Sequence, residues 1–229
     1  MGVRTEQVTF PADGGTGQGY LALPEGPGPH RAVVVIQEWW GLDEHIADVT
    51  RRFAEAGFVA LAPDLYHGQV AAEPDDAQKL AMGLAIPEAT KEMAGAAAYL
   101  AGRDDVAPKR VGAIGFCMGG TLALVLAAAS PQVGAVASFY GGRPLSADDL
   151  RTIAAPVLAI FGERDQGIPP ERHAALDTTL NDLGVPHAIY VYPGAPHAFF
   201  NDSRAHSYRP EAARDAWART LAWFEKYLQ

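Results

Sequence analysis

The chain has 229 residues, enough for one α/β domain, and 48% of them are hydrophobic, enough to bury a substantial core. Its formal net charge of -9 argues against nucleic acid or an anionic membrane as partner, since both reward basic patches. Cys117 is the single cysteine, which excludes an internal disulfide.

The elements follow in order. Gln7–Phe10 and Gly19–Leu23 are short apolar-polar mixtures around the turn Asp13-Gly14-Gly15, which predicts an opening β-hairpin. Ala32–Gln37 is a β-branched run, as expected of a strand buried on both faces of a parallel sheet. A helix follows, with Asp43 as N-cap, Ile46, Val49, Phe53 and Ala56 at helical spacing, and Gly57 at its end. Phe58–Ala62 predicts the next strand, stopping at Pro63-Asp64. Residues Asp76–Ala101 read as mainly helical with a break near Pro87. Strands at Val111–Gly115, Val133–Phe139, Pro156–Phe161 and Ala188–Tyr192 alternate with helices at Met118–Ala129, Pro170–Leu183 and Arg209–Tyr227. This alternation predicts an α/β fold with a mostly parallel central sheet and helices on both faces.

Met1–Phe10 has no apolar core of the kind a leader needs, and the longest apolar stretches, such as Thr121–Ala129, fall short of the roughly 18 residues that span a bilayer. A soluble cytoplasmic protein, with no membrane partner, is the resulting expectation.

The informative segment is Gly115-Phe116-Cys117-Met118-Gly119-Gly120, set between a strand and an apolar helix. That context suits a nucleophile elbow, a sharp turn that lifts one side chain above the sheet edge. The turn brings backbones together, so small residues are needed two before and two after the nucleophile, where Gly115 and Gly119 stand. Cys117 then sits at a helix N-terminus, where the dipole favours negative charge. The Met118 amide points to where an oxyanion would form. A small buried core cysteine is the bland alternative.

An elbow nucleophile needs an acid and then a histidine later in the chain. Asp165, in Gly162-Glu163-Arg164-Asp165, lies just past a strand end, where parallel sheets place functional groups. Glu163 is the fallback, and Asp148 and Asp149 precede a strand, at the opposite edge. Of the later histidines, His173 falls within a helix and His187 before a strand. His197 follows the last strand through Pro193-Gly194-Ala195-Pro196, on the edge that carries Cys117 and Asp165. Glu38 ends the buried strand in Gln37-Glu38-Trp39-Trp40-Gly41. It reads either as a proton acceptor for a thiol or as a rim carboxylate. The Trp39 amide is the candidate second oxyanion donor.

Gln37-Glu38-Trp39-Trp40-Gly41, Ala62-Pro63-Asp64-Leu65-Tyr66, the Cys117 elbow, Gly162-Glu163-Arg164-Asp165 and His197-Ala198-Phe199 together resemble the dienelactone hydrolase (carboxymethylenebutenolidase) family. The resemblance runs over nearly the whole chain. It implies an α/β-hydrolase fold in a single domain without a large lid. It implies hydrolysis of a small ester or lactone through a thioester on Cys117, with His197 as base, Asp165 orienting it, and Glu38 interacting with the resting thiol. The sequence departs from the family pattern where two arginines would hold a substrate carboxylate. His197 is followed by Ala198, Phe199, Phe200 and Asn201, and Ala85–Leu100 offers Lys91 and no arginine. Arg204, Tyr140 and Tyr208 are the candidate polar substrate contacts, with Trp39, Trp40, Phe199 and Phe200 as a candidate apolar wall. No cofactor or metal is required, and no metal-ligand spacing such as HExxH occurs. A homo-oligomer is compatible with the sequence. A non-catalytic ligand-binding protein and a thiol-dependent acyltransferase are the rival classes.

Overall fold

A computed structural model describes residues 2–229; Met1, the first residue of the stretch read for a leader, lies outside the described residues. Eight strands form one sheet: β1 (Val3–Ala12), β2 (Gly15–Pro24), β3 (Arg31–Ile36), β4 (Phe58–Pro63), β5 (Val111–Phe116), β6 (Val133–Phe139), β7 (Val157–Gly162) and β8 (His187–Tyr192). Their order is β1-β2-β4-β3-β5-β6-β7-β8. β1 and β2 pair antiparallel, β2 joins β4 antiparallel, and every pairing from β4 to β8 is parallel. Among the described residues six helices lie between strands, α1 (Glu44–Glu55), α2 (Pro74–Gly83), α3 (Ile86–Gly102), α4 (Met118–Ala129), α5 (Ala147–Leu150) and α6 (Pro170–Asp182), and α7 (Pro210–Tyr227) follows β8. The fold is that of the α/β-hydrolases.

The central strands show why the sheet needs cover on both faces. Ala32, Val34 and Ile36 of β3 pack with Met93 and Leu100 of α3 and with α4, while Val33 and Val35 pack with Ile46, Val49 and Phe53 of α1 and Phe224 of α7. A period of two sends neighbouring residues to opposite faces, so a wholly apolar strand must lie between two helical layers. Each such buried Val or Ile contributes roughly 1.5–3 kcal/mol of transfer free energy.

Several boundaries differ from the sequence reading. β1 and β2 run past the predicted hairpin strands, because the backbone ladder continues from Val3↔Pro24 to Ala12↔Gly15 whatever the side chains are. The helical stretch breaks at Leu84-Ala85, and Pro87 stands in the first turn of α3, where its missing N–H is no loss. Pro156 stays outside β7, and His187 joins β8. α5 was not foreseen. It is a single turn held by a capping box in which Ser146 and Asp149 satisfy each other's backbone N–H groups. Among the described residues no helix is long and apolar enough to cross a membrane.

Candidate active site

The carboxyl ends of β3, β5, β6, β7 and β8 converge on a cavity of about 1040 Å³. Cys117 caps the junction of β5 and α4 with φ 56° and ψ −118°. Its N–H donates to the Phe139 carbonyl at 3.0 Å, which ties the turn to β6. A Cβ on Gly115 would lie 1.9 Å from the Gly119 carbonyl oxygen, and one on Gly119 would lie 2.3 Å from the Gln37 carbonyl oxygen. Glycine at both places is therefore a steric requirement of the turn, and the second contact seats the elbow against the segment carrying Glu38. Cys117 is half-buried and lines the cavity.

Asp165 and His197 lie on adjacent loops after β7 and β8. The loops are stitched together by Arg164 N–H to the Ala195 carbonyl at 2.9 Å and by the close approach of Gly162 to Ala195. Asp165 is 5% exposed; its Oδ1 accepts from the Gly167 N–H at 2.9 Å and its Oδ2 accepts from His197 Nδ1 at 2.6 Å. A proton on Nδ1 leaves Nε2 for the cavity side. Burial disfavours the His197 cation, but Asp165 and the neighbouring Cys117 sulfur outweigh it and push the pKa up to about 10. Cys117, Asp165 and His197 all line the cavity. Glu163 is spent elsewhere, accepting from the Gly194 N–H at 2.8 Å in an exposed loop.

Glu38 is 2% exposed and also lines the cavity. Its Oε2 accepts from Asn201 Nδ2 at 3.0 Å, and its Oε1 has no hydrogen-bond partner. Burial is the main cause that raises its pKa to about 7. Asp43 adds to the rise, while Asn201, His197 and Arg204 oppose it. Asn201 was missed in the sequence; its one signal is an amide directly after the apolar run Ala198-Phe199-Phe200, where burial obliges it to find a partner.

Trp39 and Met118 flank the cavity, and Met118, as the first residue of α4, has an amide without a helical acceptor. Trp40 and Tyr140 line it as well. Tyr140 has φ 39°, its ring lies 5.0 Å from that of His197, and its buried hydroxyl is unpartnered. Phe199, Arg204 and Tyr208, nominated with them as substrate contacts, are not among the lining residues. Phe199 is fully buried between Tyr140 and Tyr192. Arg204 stacks its guanidinium 3.8 Å over the Trp40 ring, and Tyr208 packs on the α1–α7 side of the core. Phe200 stacks on Phe116 behind the elbow. Asp149 corrects another expectation: on α5 it reaches the cavity wall, which exposed Arg143, Arg164 and Arg209 also line. Among the described residues no cluster of three His, Cys, Asp or Glu could hold a metal ion.

Comparison with known proteins identifies the family. The family model for the dienelactone hydrolase family matches residues 18–228. A protein named usf from Aquifex pyrophilus is 36% identical over 236 residues, covering 97% of this chain and 99% of the relative. A protein from Aquifex aeolicus, provisionally named carboxymethylenebutenolidase, is 35% identical over 231 residues, covering 98% and 99%. The crystal structure of a provisionally named dienelactone hydrolase from Klebsiella pneumoniae superposes with a TM-score of 0.90 at 32% identity, covering 99% of this chain and 100% of that one. With the family pattern matched over nearly its whole length, this chain belongs to the dienelactone hydrolase family of hydrolases.

Proposed function

We propose that the protein hydrolyses a small ester or lactone through a thioester on Cys117. The observation that carries this is the convergence of Cys117, His197 and Asp165 on one cavity, with Asp165 bonded to His197 Nδ1 at 2.6 Å. The Cys117 thiolate attacks the carbonyl carbon, and the carbonyl π pair moves to oxygen, which the Trp39 and Met118 amides receive. Collapse of the tetrahedral species expels the alkoxide, which takes a proton from the His197 imidazolium. Neutral His197 then draws a proton from water, hydroxide adds to the thioester, and the thiolate leaves with the acid product. Asp165 fixes the tautomer throughout. Asp165 and the Cys117 sulfur hold resting His197 as the imidazolium, so the thiol proton goes to Glu38 when substrate arrives and returns to the thiolate once the acid product has left. The apolar walls, including Trp39, Trp40, Leu122 and Ile168, favour an uncharged acyl group near the sulfur.

The test uses p-nitrophenyl acetate and a lactone with wild type, C117A and H197A. Both variants are expected to lose at least about 10³-fold in kcat/KM. Mass spectrometry of wild type quenched during turnover is expected to show an acyl adduct on Cys117. Undiminished turnover by C117A would sink the reading, and a product that depends on an added alcohol acceptor would convert it to acyl transfer.

A further inference from the structure

We propose that Asn201 is the positioning residue for Glu38, holding one carboxylate oxygen and leaving the other without a hydrogen-bond partner, free to receive the Cys117 proton. The inference rests on the thioester reading above and adds a residue to it. Asn201 is fully buried, and its own orientation is fixed. Its Oδ1 accepts from the Ser203 N–H at 3.1 Å and from the Ser203 hydroxyl at 2.6 Å. With the oxygen end of the amide taken twice, the NH₂ end must face Glu38, and Nδ2 donates to Oε2 at 3.0 Å. The loop is itself held: the Asn201 N–H donates to the Ala198 carbonyl at 3.0 Å, and Asp202 pairs with Arg52 of α1.

The result is a carboxyl group with unequal oxygens. Oε2 is tied from behind. Oε1 is buried without a partner, and Glu38 lines the same cavity as Cys117. Transfer of the S–H proton to Oε1 leaves the S–H electron pair on sulfur as the thiolate and yields a neutral carboxylic acid. A neutral amide donor suits that cycle. It favours the carboxylate enough to keep it a base, yet does not neutralise it as a close guanidinium would. The other groups acting on or facing Glu38 are Asp43, which disfavours its charge, His197 and Arg204, which favour it, and Tyr140, whose phenol is pushed above its ordinary value first by burial and then by Glu38.

The test is a pH profile of kcat/KM on p-nitrophenyl acetate for wild type, C117A, E38Q, N201D and the E38Q/N201D double variant. N201D is nearly isosteric and keeps an oxygen for Ser203, so it tests the donor and not the loop. Replacing the N–H donor by a second acceptor disfavours ionised Glu38. The acidic limb is therefore expected to move up by about one pH unit, lowering turnover about tenfold on that limb and little on the alkaline plateau. In the E38Q background the same substitution is expected to shift nothing. An N201D profile lowered by one factor at every pH, or an equal loss in the E38Q background, overturns the proposal. So does an E38Q profile that keeps the wild-type limb while C117A is inactive. A fully active C117A overturns the thioester reading, and the two failures are thus told apart.

Discussion

Among the individual residues, Glu38 carries the sharpest energetic consequence. Its folded pKa of about 7 stands above the ordinary 4.5, chiefly because burial penalises the charge. Between those values the unfolded chain has released a proton that the folded chain keeps. Stability therefore falls as pH rises through that window, and the penalty is complete above the folded value. E38Q does not titrate. Its stability advantage over wild type is expected to grow by on the order of 2 kcal/mol between about pH 5 and about pH 8, read from urea midpoints at the two pH values. An advantage independent of pH would mean that the carboxyl is not held protonated. The sequence placed Cys117, Asp165 and His197 together, because chain order and strand ends limit where such groups can stand. It could not place Asn201, whose meeting with Glu38 spans 163 positions and depends on how one loop folds back.

The junction of β5 and α4 is the element most tightly specified by its sequence. A methyl on Gly119 would collide with the backbone of Ile36 and Gln37, neither of which can yield without moving β3. G119A is therefore expected to lose several kcal/mol of stability and most of its turnover, since the same shift displaces Glu38 from Cys117. At Gly102, the end of α3, a methyl would meet nothing within 4 Å, so G102A is expected to stay within about 0.5 kcal/mol of wild type. Thermal unfolding and esterase assays on both variants check the pair. α2 is the contrasting element, since it buries only Ala77 yet reaches the cavity through Ala81. Periodicity announced the strands and long helices, which bury a regular stripe. It was silent on α5, where four residues held by a capping box make too short a pattern to see, and so Asp149 was assigned to the wrong edge.

For the whole molecule, two apolar layers on a parallel sheet were legible because strands such as β3 carry an almost unbroken apolar run. The extent of the cavity was not, since residues of α2, α3, α4 and α5 join the loops in lining it, and no local pattern encodes how those elements meet. The backbone around it is also the least relaxed part of the protein. Of the four non-glycine residues with positive φ among the described residues, three line the cavity: Cys117 at 56°, Tyr140 at 39° and Ala198 at 57°. Left-handed backbone costs a residue with a Cβ roughly 1–2 kcal/mol, part of which glycine returns as lost unfolded-state entropy. A198G is accordingly expected to gain about 0.5–1 kcal/mol in a urea titration. The same asymmetry bears on laboratory evolution. A library screened only for heat resistance would be drawn toward these three positions, and one of them, Cys117, is the proposed nucleophile. A second screen for turnover would have to travel with the first from the opening round.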